Sequence, residues 1–168
     1  GDPMKNESSF VPTEGGNAYA LNLIEQINEM NNGQYLYEET KNSPSNFCIG
    51  TAGYPEKHFE AMNLSTDMKH LKKKVDAGAE FIVTQLFYDN EKFFDFVKKC
   101  REIGIKVPII PGIKTITNLR HLSFIPKFFH VNFPESFSNE LEKCKTDEEI
   151  KRVGIEWTTA QCTELVKA

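Results

Sequence analysis

The hydrophobic pattern of the chain alternates between two periods. From Asn17 to about Asn31 the apolar residues Leu21, Leu23, Ile24, Ile27 and Met30 recur at helical spacing, and Asn32-Gly33 ends the run. Phe47 to Ala52 is a short strand of mostly small residues. Met68, Leu71 and Val75 then predict a helix capped by Ser65 or Thr66 and stopped by Gly78. Phe81 to Phe87 is nearly continuous apolar and β-branched, the pattern of a strand covered on both faces. Asp89 caps a helix with Phe94, Val97 and Ile103 inward and Gly104 at its end. Val107 to Ile110 is a third strand, closed by Pro111-Gly112.

Beyond that point the chain is helical. Thr117 or Asn118 opens a helix through about Phe124, and Pro134 precedes another short one. Thr146-Asp147-Glu148-Glu149 has the capping-box pattern and starts a long helix carrying Ile150, Val153, Trp157, Ala160 and Leu165. Strands alternating with helices predict an α/β fold with parallel strands joined by crossovers. Three strands suit an arc of a larger barrel better than a complete sheet, so the 168 residues read as one partial barrel domain. In such barrels the chemistry lies on the loops after the strands. Those loops begin here at Gly53-Tyr54, at Gln85 to Tyr88 and at Pro111-Gly112.

Composition narrows the function classes. With 39% hydrophobic and 26% charged residues the chain is ordinary globular material. A net charge of -4 and a pI of about 5.6 give no nucleic-acid footprint. No apolar run reaches the roughly 20 residues a membrane span needs. Cys48, Cys100, Cys144 and Cys162 stand singly, without metal-ligand spacing, as buried thiols of a cytoplasmic protein would. No metal site is expected. Gly1-Asp2-Pro3 either is a scar before Met4 or lies inside a longer protein.

The polar residues near the strand ends carry the chemistry. Tyr54-Pro55-Glu56-Lys57-His58 puts a ring, a carboxylate and an imidazole in one loop, which is a proline-turn surface loop or an active face. Gln85 ends an apolar strand, where an amide is costly unless partnered. Its partner is a neighbouring backbone group or the edge of a heterocycle. Lys72-Lys73-Lys74 is a solvated face or a site for a pyrophosphate. No G-x-G-x-x-G, P-loop, zincin motif or nucleophile elbow is present.

Taken in order, Gly1-Asp2-Pro3, Gly15 to Ala20, Ala52 to His58, Asp67 to Ala79, Thr84 to Asp89, Ile109 to Ile113 and Gly154 to Glu156 resemble the methylenetetrahydrofolate reductase family of one-carbon metabolism and methionine biosynthesis. The resemblance implies an oxidoreductase built on a (β/α)8 barrel, with FAD bound at the C-terminal ends of the strands. It implies that NADH or NADPH reduces the flavin, which then passes a hydride to 5,10-methylenetetrahydrofolate to give 5-methyltetrahydrofolate. By the same resemblance Gly1 and Asp2 match a turn beside the flavin, with Asp2 touching the pterin and taking the catalytic place. Tyr19, Ala20, Tyr54 and His58 match flavin contacts, and Asp67, His70, Lys73 and Lys74 match positions around its ribose, adenine and diphosphate. Gln85 matches a glutamine that holds the folate.

Two positions depart from the pattern. Lys73 stands where some members have arginine, and His121 stands where some have a second folate-contacting glutamine. The family's general-acid glutamate, from its first strand, has no counterpart here, nor has its folate-contacting arginine on the final strand. The resemblance therefore places the chain between the loop after strand 4 and the helix before strand 8. It implies a homo-oligomeric parent enzyme and an isolated chain without turnover. The alternative functions are a non-catalytic flavin- or folate-binding module and a small α/β domain sharing only ancestry.

Overall fold

The computed structural model describes residues 10–36 and 43–168. The elements run α1 (Ala20–Asn31), β1 (Gly50–Gly53), α2 (Leu64–Asp76), β2 (Phe81–Leu86), α3 (Asn90–Glu102), β3 (Ile109–Gly112), α4 (Arg120–Phe129), α5 (Glu135–Leu141) and α6 (Asp147–Leu165). The three strands are parallel and lie in chain order, with Ala52 opposite Val83 and Val83 opposite Ile110. This is the α/β alternation expected of the pattern.

The strands are not covered on both faces. Thr51, Gly53, Ile82, Thr84 and Leu86 point to the buried side, whereas Gly50, Ala52 and Val83 are exposed, Val83 by 42%. The covered face packs on Met68 and Leu71 of α2 and on Phe96 and Cys100 of α3, with Ile105 beneath them. Among the described residues nothing comparable lies on the other face, so β-branched side chains such as Ile110, 47% exposed, meet solvent there. An apolar strand sequence reports affinity for a cover, not whether the cover is present.

Element ends follow local partners. Strand β1 starts at Gly50 and not at Phe47, because the Asn31 side chain brackets Phe47: its Oδ1 accepts the Phe47 N–H at 2.8 Å and its Nδ2 donates to the Phe47 carbonyl at 2.8 Å. Helix α2 is capped by Asn63, whose Oδ1 accepts the Thr66 N–H at 2.9 Å, displacing Ser65 and Thr66 into the first turn. The inward stripe of α3 is Phe93, Phe96 and Cys100 in place of the expected Phe94, Val97 and Ile103. Phe93 stacks on Phe87 at 5.1 Å, and this contact fixes the helix rotation, leaving Ile103 38% exposed. Of α1 only Ile24 is buried.

Strand β3 includes Pro111 and Gly112, which do not close it. The register slips between Val83 and Leu86, and the Gly112 N–H donates to Thr84 Oγ1 at 2.9 Å. A Cβ on Gly112 would lie 2.1 Å from the Thr84 carbonyl oxygen, so only glycine fits this approach. Helix α4 continues past Phe124 to Phe129 with Pro126 inside it, and ends at His130 in the left-handed conformation, φ 54° and ψ 40°.

The second core lies between β2 and the C-terminal helices. Leu86, Tyr88, Ile116, Ile125, Val131, Phe137, Leu141, Ile150 and Val153 form it, with Trp157 stacked on Phe137 at 4.4 Å. The capping box at Thr146 and Glu149 starts α6 as its pattern requires. Ala160 of α6 is exposed, and Gln161 takes the inward place. Its Nε2 donates to the Phe87 carbonyl at 2.9 Å, while Trp157 Nε1 donates to the Tyr88 carbonyl at 3.0 Å. Asn90 Nδ2 donates to the Gln161 carbonyl at 3.0 Å. Of the four thiols only Cys100 is buried, which pushes it up to about 11, and Cys48 is exposed.

Candidate functional site

Parallel strands put all their C-terminal ends on one edge of the sheet, so the loops after β1, β2 and β3 share a rim. The loop after β1 is shaped by several contacts of its own. Tyr54 and His58 meet edge to face at 4.6 Å and 81°. The His58 N–H donates to Asp67 Oδ2 at 2.8 Å, tying the loop to the first turn of α2. Lys57 adopts φ 95°, a conformation that costs a side-chain-bearing residue free energy and persists only where other contacts hold it. Here its ammonium donates to the Ala61 carbonyl at 2.6 Å and to the Phe59 carbonyl at 3.3 Å.

The surroundings of the His58 ring favour its neutral form. Its Nδ1 accepts the Glu60 N–H at 3.3 Å. Partial burial lowers its pKa below the usual histidine value, with Lys74 and Lys57 adding to the effect and Glu60 and Asp67 opposing it. A neutral imidazole next to a phenol offers an apolar ring face and hydrogen-bonding edges without a fixed charge.

The three lysines of α2 separate. Lys72 pairs with Asp76, Lys73 is exposed, and Lys74 turns back so that its ammonium donates to the Ala52 carbonyl at 3.0 Å. Burial lowers the Lys74 pKa, and the Asp67 carboxylate works against that shift. One cation therefore sits at the end of β1, which a run of three lysines does not reveal. His70 is exposed on the same helix.

On the open face of the sheet, Gly50, Ala52, Tyr54, Phe81, Val83 and Gln85 line a shallow concavity of about 360 Å³. A Cβ on Gly50 would lie 2.4 Å from the Phe81 ring, so glycine lets that ring lie across β1. Gln85 is half-buried. Its Oε1 accepts the Leu86 N–H at 3.0 Å, while its amide nitrogen has no partner among the described residues. The backbone thus satisfies half of this amide and leaves two N–H groups for something else. Planar, apolar walls with one amide donor and two ring edges at the mouth suit a flat heterocycle with carbonyl acceptors.

The remaining expected site residues lie elsewhere. Tyr19, 74% exposed, and Ala20 stand at the start of α1 and do not line the concavity. His121 is occupied by its own turn: its Nδ1 accepts the Thr117 N–H at 3.2 Å and its Nε2 lies 3.2 Å from the Asn118 amide. Desolvation, then Lys114 and Arg120, lower its pKa. Gly1 and Asp2 fall outside the described residues. Three further contributors to the rim, Phe59, His130 and Asn132, carry no readable signal. Glu56 binds Asn132, 76 positions away, and Phe59 stacks on His130 at 4.8 Å. Only the left-handed His130 and the strained Lys57 mark them, and neither backbone angle is visible in a sequence.

Among the described residues no cluster of histidine, cysteine or carboxylate side chains could hold a metal ion, and no helix is long and apolar enough to cross a membrane.

Comparison with known proteins gives a consistent result. The family model for methylenetetrahydrofolate reductase matches residues 1–168. Methylenetetrahydrofolate reductase (NADH) 1 of Arabidopsis thaliana is 41% identical over 176 residues, covering 99% of this chain and 28% of that protein. A probable methylenetetrahydrofolate reductase (NADPH) of Caenorhabditis elegans is 41% identical over 121 residues, covering 71% of this chain and 18% of its own length. A solved structure from Clostridium thermocellum, described as an uncharacterized protein that binds two copies of 5-methyl-5,6,7,8-tetrahydrofolic acid, superposes with a TM-score of 0.55 at 22% identity. It covers 71% of this chain and 41% of that one, and it shows the fold alone. The chain spans under a third of the length of these two curated relatives. With the whole chain matched by the family model and both relatives above 40% identity, the chain belongs to the methylenetetrahydrofolate reductase family.

Proposed function

We propose that this chain forms part of the flavin- and folate-facing wall of an enzyme that reduces 5,10-methylenetetrahydrofolate to 5-methyltetrahydrofolate. The sheet is read as an arc of a (β/α)8 barrel, its open face as the inner wall. The observation that carries the proposal is that Tyr54, just past the end of β1, and Gln85, near the end of β2, line one concavity on the open face of the sheet. Family membership supplies the chemistry, and the names of its members include both NADH and NADPH forms.

The residues fit an FAD. When bound, the flavin supplies hydride transfer between a nicotinamide and the folate. Tyr54 and His58 give it ring edges and exclude water from one side, and the Gly50 backbone lets Phe81 floor the concavity without obstruction. Lys74, held beside the end of β1, places a positive charge where a diphosphate would lie, with Lys73 and His70 outside it and Asp67 fixing the loop between them. The amide N–H groups of Gln85, whose Oε1 is taken by the Leu86 N–H, would donate to a carbonyl or ring nitrogen of the pterin. Asp2, Tyr19 and Ala20 complete the proposed contacts by resemblance, as does His121, whose ring would first have to leave Thr117 and Asn118. By the resemblance no residue here matches the general-acid position, so the 168 residues by themselves would contact ligands without turnover.

Titration of the full chain with FAD, followed by flavin fluorescence, tests the reading. Tyr54→Ala should weaken flavin binding, and Gln85→Ala should weaken binding of 5-methyltetrahydrofolate while leaving flavin affinity alone. A chain that binds neither ligand, or a Gln85→Ala variant that keeps full folate affinity, refutes the assignment. Turnover by the chain alone would remove the claim that it is catalytically incomplete.

A further inference from the structure

The rim loop after β1 is joined at two points to a segment far along the chain. Glu56 accepts both polar groups of Asn132: the backbone N–H at 3.1 Å on Oε1 and the side-chain Nδ2 at 2.6 Å on Oε2. Three residues on, Phe59 stacks against His130 with centroids 4.8 Å apart and planes 24° from parallel. His130 occupies the left-handed C-cap of α4, a position that usually falls to glycine. The strain is maintained at the residue whose ring makes the contact, which marks the turn as specified for something other than ending a helix.

We propose that Glu56 and Asn132 are positioning residues: with the Phe59–His130 stack they latch the loop carrying Tyr54 and His58 to the α4–α5 connection, and so set where the Tyr54 ring stands at the concavity and where His58 stands against it. The significance of the ring positions rests on the function proposed above, but the latch itself does not. The ties of His58 to Asp67 and of Lys57 to Ala61 and Phe59 lie within the β1–α2 unit. They define the shape of the loop without fixing its tilt over the sheet. The bonds to Asn132 and the contact with His130 refer it to the opposite side of the rim. Carboxylate acceptors form the stronger class of hydrogen bond. Both partners also meet solvent, so the latch acts on loop geometry more than on the stability of the fold.

The test compares the full chain with Glu56→Ala, Asn132→Ala, the double variant and the conservative Glu56→Gln. Amide hydrogen exchange is read in residues 54–61 and, as a control, in α6. Each alanine variant should speed exchange in 54–61 by roughly tenfold, and the double variant should go no further than either, the signature of a shared interaction. Glu56→Gln keeps one carbonyl acceptor for the Asn132 N–H and should fall between parent and alanine. Flavin affinity should weaken in the same order, by roughly three- to tenfold. Unchanged exchange in 54–61, additive losses, or an equal loosening of α6 in both Glu56→Ala and Glu56→Gln overturns the latch. If the parent chain binds no flavin, the function proposed above fails, and the exchange measurement still decides the latch.

Discussion

The joint between α6 and the end of β2 and the rim loop after β1 are built from the same kind of bond, a side chain reaching a distant part of the backbone. At the joint, Gln161 and Asn90 are buried and Trp157 nearly so, and their targets are the carbonyls of Phe87, Gln161 and Tyr88. At the rim, Glu56 and Asn132 meet solvent. Removing a buried donor leaves its acceptor without water, which costs the desolvation of that group, whereas water replaces a lost bond at the rim. Equivalent bonds therefore hold the fold in one region and tune geometry in the other.

The comparison can be broken most forcefully at Gly154, where a Cβ would lie 2.0 Å from the Ile116 carbonyl oxygen. Gly154→Ala must push α6 off the joint and should cost about 3 kcal/mol or more, read from urea unfolding. A near-normal midpoint would mean that the joint yields easily and is not the rigid region.

A sharper contrast comes from matched truncations. Gln161→Ala strands the Phe87 carbonyl and should cost about 2 kcal/mol, while Asn132→Ala should stay within about 0.5 kcal/mol. Equal costs in the same unfolding experiment would erase the distinction. Smaller again, and of opposite sign, is the effect at Tyr88. Its hydroxyl is buried without a partner among the described residues, and burial raises its pKa. Tyr88→Phe should stabilise the chain by about 1 kcal/mol, seen as a higher unfolding midpoint.

The smallest effect is a pH dependence at the rim. His58 binds a proton less readily in the folded chain than at its ordinary pKa of 6.5. As pH falls through 6.5 the unfolded chain takes up the proton first, so stability declines, and the decline ends once pH passes the folded pKa. His121, shifted the same way, adds to the slope. His58→Asn should flatten part of it in unfolding curves collected between pH 7.5 and about 5. A slope that steepens would contradict the assigned sign.

Much of the fold is legible because it depends on local chemistry. Asp89 and the Thr146 box cap their helices as their side chains require, and Gly78 and Gly104 take positive φ where helices stop. What is not legible depends on distant partners. Adjacent Phe93 and Phe94 both fit an inward stripe, and only the stack on Phe87 selects the first. Phe47 looks like strand until Asn31 claims its backbone. At the site, the odd placement of Gln85 is visible in one dimension, as is the ring-rich loop at Tyr54. That Lys74 alone of three lysines turns to Ala52, and that Asn132 meets Glu56, needs the third dimension.

The spatial order of the strands copies their order in the chain, so a growing polypeptide can add each strand to the edge of what has already assembled. The α6 joint departs from that economy. Asn90 and Phe87 find their partners 71 and 74 residues later, a closure whose entropy is lost before any contact compensates it. During synthesis the end of β2 must wait, unsecured, until nearly all of α6 has emerged. The interval in which the Phe87 and Tyr88 carbonyls lack Gln161 and Trp157 is then set by translation speed, and slowing or speeding the ribosome across residues 90–160 should change how much of the protein reaches its native state.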